Sequence, residues 1–89
     1  MTVGAAVRLT SALGAPLADE AVRGIVEASA RAIGERTGIE VRVREVDERA
    51  IELEVEAGTL EATALAAELR RTTDDWHREK YGCPLWSHA

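Results

Sequence analysis

Residues 39–57 read IEVRVREVDERAIELEVEA, and this stretch decides the fold. Apolar and charged side chains alternate in it twice, over residues 39–44 and again over residues 51–57, which predicts two strands over about residues 39–46 and 50–57. A period of two is typical of strands that bury one face and leave the other in water. The residues between the two runs are few enough for a tight connection. The stretch therefore predicts an antiparallel β-hairpin with its turn centred on Glu48.

The side chains also predict the register of this hairpin. The turn sets apolar residues opposite each other on one face and opposite charges on the other face. The expected pairs are Val41–Val55, Val43–Leu53, Arg42–Glu54 and Arg44–Glu52. Each cross-strand ion pair contributes roughly 0.2–1 kcal/mol. A slip by one residue would set apolar side chains against charged ones, so the register is well specified.

A helix is predicted on each side of the hairpin, over about residues 18–37 and 60–81. Asp19 suits the positive N-terminal end of the first helix, whereas Gly38 and Gly82 suit the positions just past the two C-termini. Apolar residues recur in both helices at helical spacing. The expected buried stripes are Val22, Ile25, Val26, Ser29 and Ile33 in the first helix, and Leu65, Leu69, Thr72 or Thr73, and Trp76 in the second.

Residues 3–13 fit two interpretations. Alternating apolar residues favour a strand, whereas Thr2 as a cap and Gly14 as a stop favour a helix. A strand gives the order βαββα, with a three-stranded sheet and both helices on one face. A helix gives the order ααββα. Both are α+β folds, and the length of the chain predicts a single domain over residues 1–89.

Small residues form a row on the first predicted helix, where Gly24, Ala28 and Ala32 recur every four positions. Such a row allows a neighbouring helix to approach closely. The favoured interpretation is packing against the second helix of the same chain. The alternative is a helix–helix seam between two copies.

The amino-acid composition limits the classes of function and partner that we expect for the protein. The chain has no Phe, so its core must come mainly from Val, Ile, Leu and Ala, and a second copy would help to bury so small a core. A net charge of −5 argues against nucleic-acid and anionic-membrane partners. The one cysteine, Cys83, allows no internal disulfide, and residues 1–13 lack the layout of a signal peptide. We therefore expect a cytoplasmic protein.

The rare side chains are concentrated in residues 76–88, which hold both Trp, the Tyr, both His, the Cys and the Lys. In the first interpretation of this segment, Leu85 and Trp86 fold back and close the core. In the second it is an interface, because Trp, Tyr and Arg are enriched at binding hot spots. The interface residues would be Trp76, Arg78, Tyr81, Leu85 and Trp86.

The third interpretation is a ligand or thiol site near His77, Tyr81 and Cys83. The spacing of His77, Cys83 and His88 matches no closed metal site, and no orienting group for a thiolate nucleophile is evident. No catalytic residue, metal or cofactor is therefore predicted. Asp74 and Asp75 are neighbours on the helix and do not face each other, so a solvated face is expected for both.

These patterns lead to two hypotheses about function. The first is a small non-enzymatic interaction or accessory protein that acts as a homodimer or as a subunit of a larger assembly. The second is a small ligand-binding protein or enzyme with its site near His77, Tyr81 and Cys83. Whether the protein is an enzyme stays open on the sequence.

Overall fold

The structure is a computed structural model that describes residues 4–87. Its elements follow the order βαββα, because the N-terminal segment forms a strand. They are β1 (Ala5–Thr10), a short 3₁₀ turn (Pro16–Ala18), α1 (Glu20–Thr37), β2 (Val41–Val46), β3 (Ala50–Val55) and α2 (Thr59–Tyr81). The sheet is antiparallel throughout, in the order β1-β3-β2. This arrangement confirms the predicted α+β fold.

The hairpin has the predicted register at its open end, where Val41 pairs with Val55 and Val43 pairs with Leu53. Near the turn the pairing shifts between Val43 and Glu45, so that Glu45 lies opposite Glu52. The predicted Arg44–Glu52 register pair is therefore wrong, although Arg44 Nε still lies 3.5 Å from a carboxylate oxygen of Glu52. The shift brings Val46 opposite Ile51. Since a β-bulge inserts one residue, it returns the next apolar side chain to the inner face.

Both helices pack on the inner face of the sheet. The side chains of β3 alternate between buried Ile51, Leu53 and Val55 and half-buried glutamates. The buried stripe of α1 is Val22, Val26, Ala30 and Ile33, so Ile25 and Ser29 are not part of it. The buried positions of α2 are Ala62, Leu65, Ala66, Leu69, Thr73, Asp74 and His77. Trp76 is half-buried and packs against this core.

Local signals fix the ends of the helices. The side chain of Asp19 caps α1 by accepting a hydrogen bond from the backbone N–H of Ala21 at 2.8 Å. Gly38 and Gly82 follow the two helices with φ angles of 75° and 76°, a left-handed conformation that favours glycine. Neither of these helices, within the described part of the chain, is long and apolar enough to cross a membrane.

Residues 39–41 approach α1 closely at Gly34, which is buried. A Cβ atom at this position would lie 2.7 Å from the carbonyl oxygen of Ile39 and 3.1 Å from a methyl group of Val41. Glycine is therefore required here for space rather than for its backbone conformation.

Candidate functional site

The segment after α2 returns to the core. Leu85 and Trp86 are 0% and 1% exposed. Their backbone meets the extension of β1, because the N–H of Ala12 donates to Leu85 at 2.9 Å and the N–H of Ser87 donates to Thr10 at 2.8 Å. Core closure by Leu85 and Trp86 therefore takes place within the chain. His88 lies outside the described residues.

Two buried side chains of α2 hold this segment. The carboxylate of Asp74 accepts hydrogen bonds from the backbone N–H groups of Leu85 at 2.7 Å and Trp86 at 3.4 Å. The indole N–H of Trp86 donates to the hydroxyl oxygen of Thr73 at 2.8 Å, and that hydroxyl donates in turn to Leu69. Asp74 is only 9% exposed, so the expectation of a solvated face is wrong for it.

The ionised state of Asp74 is favoured by its surroundings. Burial raises the pKa of this carboxyl group, but the hydrogen bonds from Arg78 and from the backbone N–H groups of Leu85 and Trp86 outweigh that effect. The pKa of Asp74 therefore lies below its ordinary value. The position could have been found in the sequence, since Asp74 falls on the same helix face as Arg78 and the buried Leu residues.

The other predicted interface residues lie at the end of α2. Tyr81 is 45% exposed, and its ring meets that of Trp76 edge-on at 6.1 Å between centroids. The ammonium group of Lys80 lies 5.4 Å from the Trp76 ring centroid. Arg78 is half-exposed and forms an ion pair with Asp74 at 2.7 Å. Of the five predicted residues, Tyr81, Arg78 and Trp76 are thus accessible, while Leu85 and Trp86 are not.

His77 and Cys83 come together through the backbone. Nδ1 of His77 lies 2.8 Å from the carbonyl oxygen of Cys83. Both residues line an open groove of about 350 Å³, together with Tyr81 and residues of the segment before α1. Sequence reasoning missed the far wall of this groove, formed by Leu13, Pro16 and Asp19, because only the fold brings that segment to α2. Within residues 4–87, no three His, Cys, Asp or Glu side chains are arranged to hold a metal ion.

A second surface is the face of α1 that points away from the core. All three small residues of the row, Gly24, Ala28 and Ala32, are exposed. A Cβ atom added at Gly24 would meet nothing within 4 Å. The favoured interpretation, packing of the row against α2, is therefore wrong. We call Ala21, Gly24, Ile25, Ala28 and Ala32, all of them exposed, the α1 face.

Comparison with protein-family models and with curated proteins finds no match to this chain. The function has to be argued from the two surfaces themselves.

Proposed function

We propose that the protein is a non-enzymatic interaction protein that forms a homodimer through the α1 face. The observation that carries the proposal is the row of Gly24, Ala28 and Ala32 in solvent. A helix face without bulky side chains allows a second helix to come near the lower limit of the ordinary 8–10 Å interaxial distance. Ile25, 37% exposed, adds apolar area at the rim of the same face.

An antiparallel pair of α1 helices is self-complementary. A two-fold axis at Ala28 sets Gly24 level with the partner's Ala32, so the small residues meet along the whole row. This is the isologous geometry of most homodimers. The two helix dipoles then oppose each other, which places each positive N-terminal end beside a negative C-terminal end.

Charge supports the same arrangement. Glu27 and Arg31 lie one turn apart on one flank of the α1 face. The axis at Ala28 sets Arg31 level with the partner's Ile25, about 3 Å along the helix from the partner's Glu27 and within side-chain reach of it. Neither side chain takes part in an ion pair among the described residues, whereas Arg23 and Arg36 of the same helix do. Two symmetric ion pairs would fix the register and suppress wrong pairings, since electrostatic complementarity contributes mainly to specificity.

Native mass spectrometry and light scattering test the dimer. We expect a mass of twice 9.6 kDa that dissociates on dilution. Ala28→Glu brings two carboxylates together on the axis, and the expected loss of affinity is at least about 100-fold. Ala64→Glu is the matched control, because Ala64 is exposed on α2 and lies off the α1 face. A wild-type protein that stays monomeric at every soluble concentration would overturn the proposal.

The register of the two α1 helices in the proposed dimer can be tested separately. Arg31→Glu and Glu27→Arg, made singly, set like charges against each other and should each weaken the dimer. The double exchange restores the opposite charges and should restore the affinity. A dimer that survives Arg31→Glu and Ala28→Glu unchanged uses another surface. The aromatic residues at the end of α2, exposed Tyr81 and half-buried Trp76, would then be the first to substitute.

A further inference from the structure

The groove beside His77 is separate from the α1 face, and its chemistry points to a ligand. His77 is 6% exposed, and its Nδ1 faces the carbonyl oxygen of Cys83. A carbonyl oxygen only accepts hydrogen bonds, so Nδ1 carries the proton. In the neutral imidazole the other ring nitrogen, Nε2, then holds a lone pair. No hydrogen bond to Nε2 is present among residues 4–87, and Nε2 is not among the fully buried atoms, so this nitrogen is an acceptor open to a ligand at the groove that His77 lines.

The second polar group of the groove is also an acceptor. One carboxylate oxygen of Asp19 accepts the cap hydrogen bond from Ala21, and the other makes no hydrogen bond within the described chain. Asp19 and His77 line the same groove. No Lys or Arg side chain lines the groove. The ammonium group of the nearby Lys80 lies over the rings of Trp76 and Tyr81. A molecule that binds here has to supply the hydrogen-bond donors and a positive charge.

Apart from the hydroxyl group of Tyr81 and the thiol of Cys83, the remaining walls are apolar. They include Leu13, which is 67% exposed, Pro16, and the 45% exposed ring of Tyr81. A volume of about 350 Å³ lies at the lower end of the range for small-molecule sites. The walls match a hydrocarbon or aromatic group.

We propose that the groove between residues 13–19 and the end of α2 binds a small organic ammonium ion with an apolar body. The ammonium group donates hydrogen bonds to Nε2 of His77 and to the carboxylate of Asp19. The apolar body lies against Leu13, Pro16 and Tyr81. This inference does not depend on the dimer.

The test uses 2-phenylethylammonium as the probe, with 2-phenylethanol and phenylacetate as neutral and anionic probes of the same shape. Two-dimensional NMR of the full chain follows the backbone resonances of Leu13 and Tyr81 during each titration. We expect saturable shifts with the ammonium ion and binding at least about tenfold weaker with the other two probes. The bound ammonium ion should also slow the reaction of Cys83, the only thiol of the chain, with iodoacetamide.

Substitutions separate the site from general charge attraction. Asp19→Asn removes the charge and keeps a good helix cap, and it should weaken binding about tenfold or more. His77→Gln should weaken binding in the same way, with the melting temperature measured to verify folding. Asp75→Asn, an equal charge change on the exposed face of α2, should leave binding unchanged. The proposal is overturned if phenylacetate or the alcohol binds as tightly, if no probe saturates, or if Asp19→Asn and His77→Gln bind like wild type.

Discussion

The end of α2 and the outer face of α1 use their residues in opposite ways. The segment after α2 carries large and rare residues, yet Leu85 and Trp86 are buried in the core of the same chain, where Thr73 and Asp74 hold them by hydrogen bonds. The residues of α1 are small and common, yet Gly24 and its neighbours remain in solvent. A large aromatic residue in a chain with few of them is needed first for the core. The exposed face of α1 is instead formed by small residues that are common in the sequence.

The largest expected effect on stability comes from removing the side chain of Trp86, which closes the core after α2. Trp86→Ala should lower the free energy of unfolding by about 3–5 kcal/mol, because it leaves a cavity and deprives Thr73 of its partner. Urea unfolding measures the change. Leu60→Ala is the control, since Leu60 is 80% exposed and should change stability by less than about 0.5 kcal/mol. An equal response of the two variants would show that Trp86 is not part of the core.

Two glycines of α1 provide the next comparison. Gly34→Ala forces a Cβ atom against the carbonyl of Ile39 and should cost about 1–3 kcal/mol. In the dilute monomer a Cβ atom at Gly24 meets nothing, so Gly24→Ala should instead stabilise the helix by about 0.5–1 kcal/mol. The same substitution ten residues apart should therefore change the melting temperature in opposite directions. A loss of stability in the dilute monomer would contradict this prediction, whereas a loss that appears only at concentrations where the dimer forms would agree with close packing of a second copy at Gly24.

The free energy of unfolding should also depend on pH, because the carboxylate of Asp74 holds the backbone of Leu85 and Trp86. Because the pKa of Asp74 is lower in the folded protein than the ordinary value of 3.8, its ionised form stabilises the fold above that value. The contribution is lost as the pH falls through the folded-state pKa. Asp74→Asn should therefore flatten the loss of stability below about pH 4, measured as the urea midpoint against pH. Asp75→Asn, in the exposed neighbouring residue, should keep the wild-type profile.

Much of the fold could be predicted from the sequence because its signals were local. The alternation over residues 39–57 and the glycines after each helix depend only on neighbouring residues. The position of β1 could not be decided locally, because the same residues fit a helix until they pair with β3. The bulge between Val43 and Glu45 was not predicted, because the apolar alternation of β2 ends at Val43 and the next apolar residue, Val46, falls on the other face of a regular strand.

The candidate surfaces were harder to predict, since they depend on what lies opposite each side chain. The small row on α1 was visible in the sequence, but its predicted packing against α2 was wrong. His77 and Cys83 were visible as rare residues. The groove itself needed Asp19, which reads as an ordinary helix cap until the fold places it opposite His77.

The smallest expected effect on stability lies on the outer face of the sheet, which belongs to neither the end of α2 nor the α1 face. The guanidinium of Arg42 lies 2.6 Å from a carboxylate oxygen of Glu54, 3.1 Å from one of Glu56 and 3.7 Å from one of Glu40. Arg42→Ala leaves the three carboxylates near each other without a cation, so the melting temperature should fall, but less than for any buried substitution above. The fall should shrink in high salt, because salt screens exposed charges. Arg44→Ala, which removes one weak contact with Glu52 at 3.5 Å, is the control and should show little salt dependence. If Arg42→Ala matched Trp86→Ala in size, the charged face would be holding the sheet together as strongly as the core does.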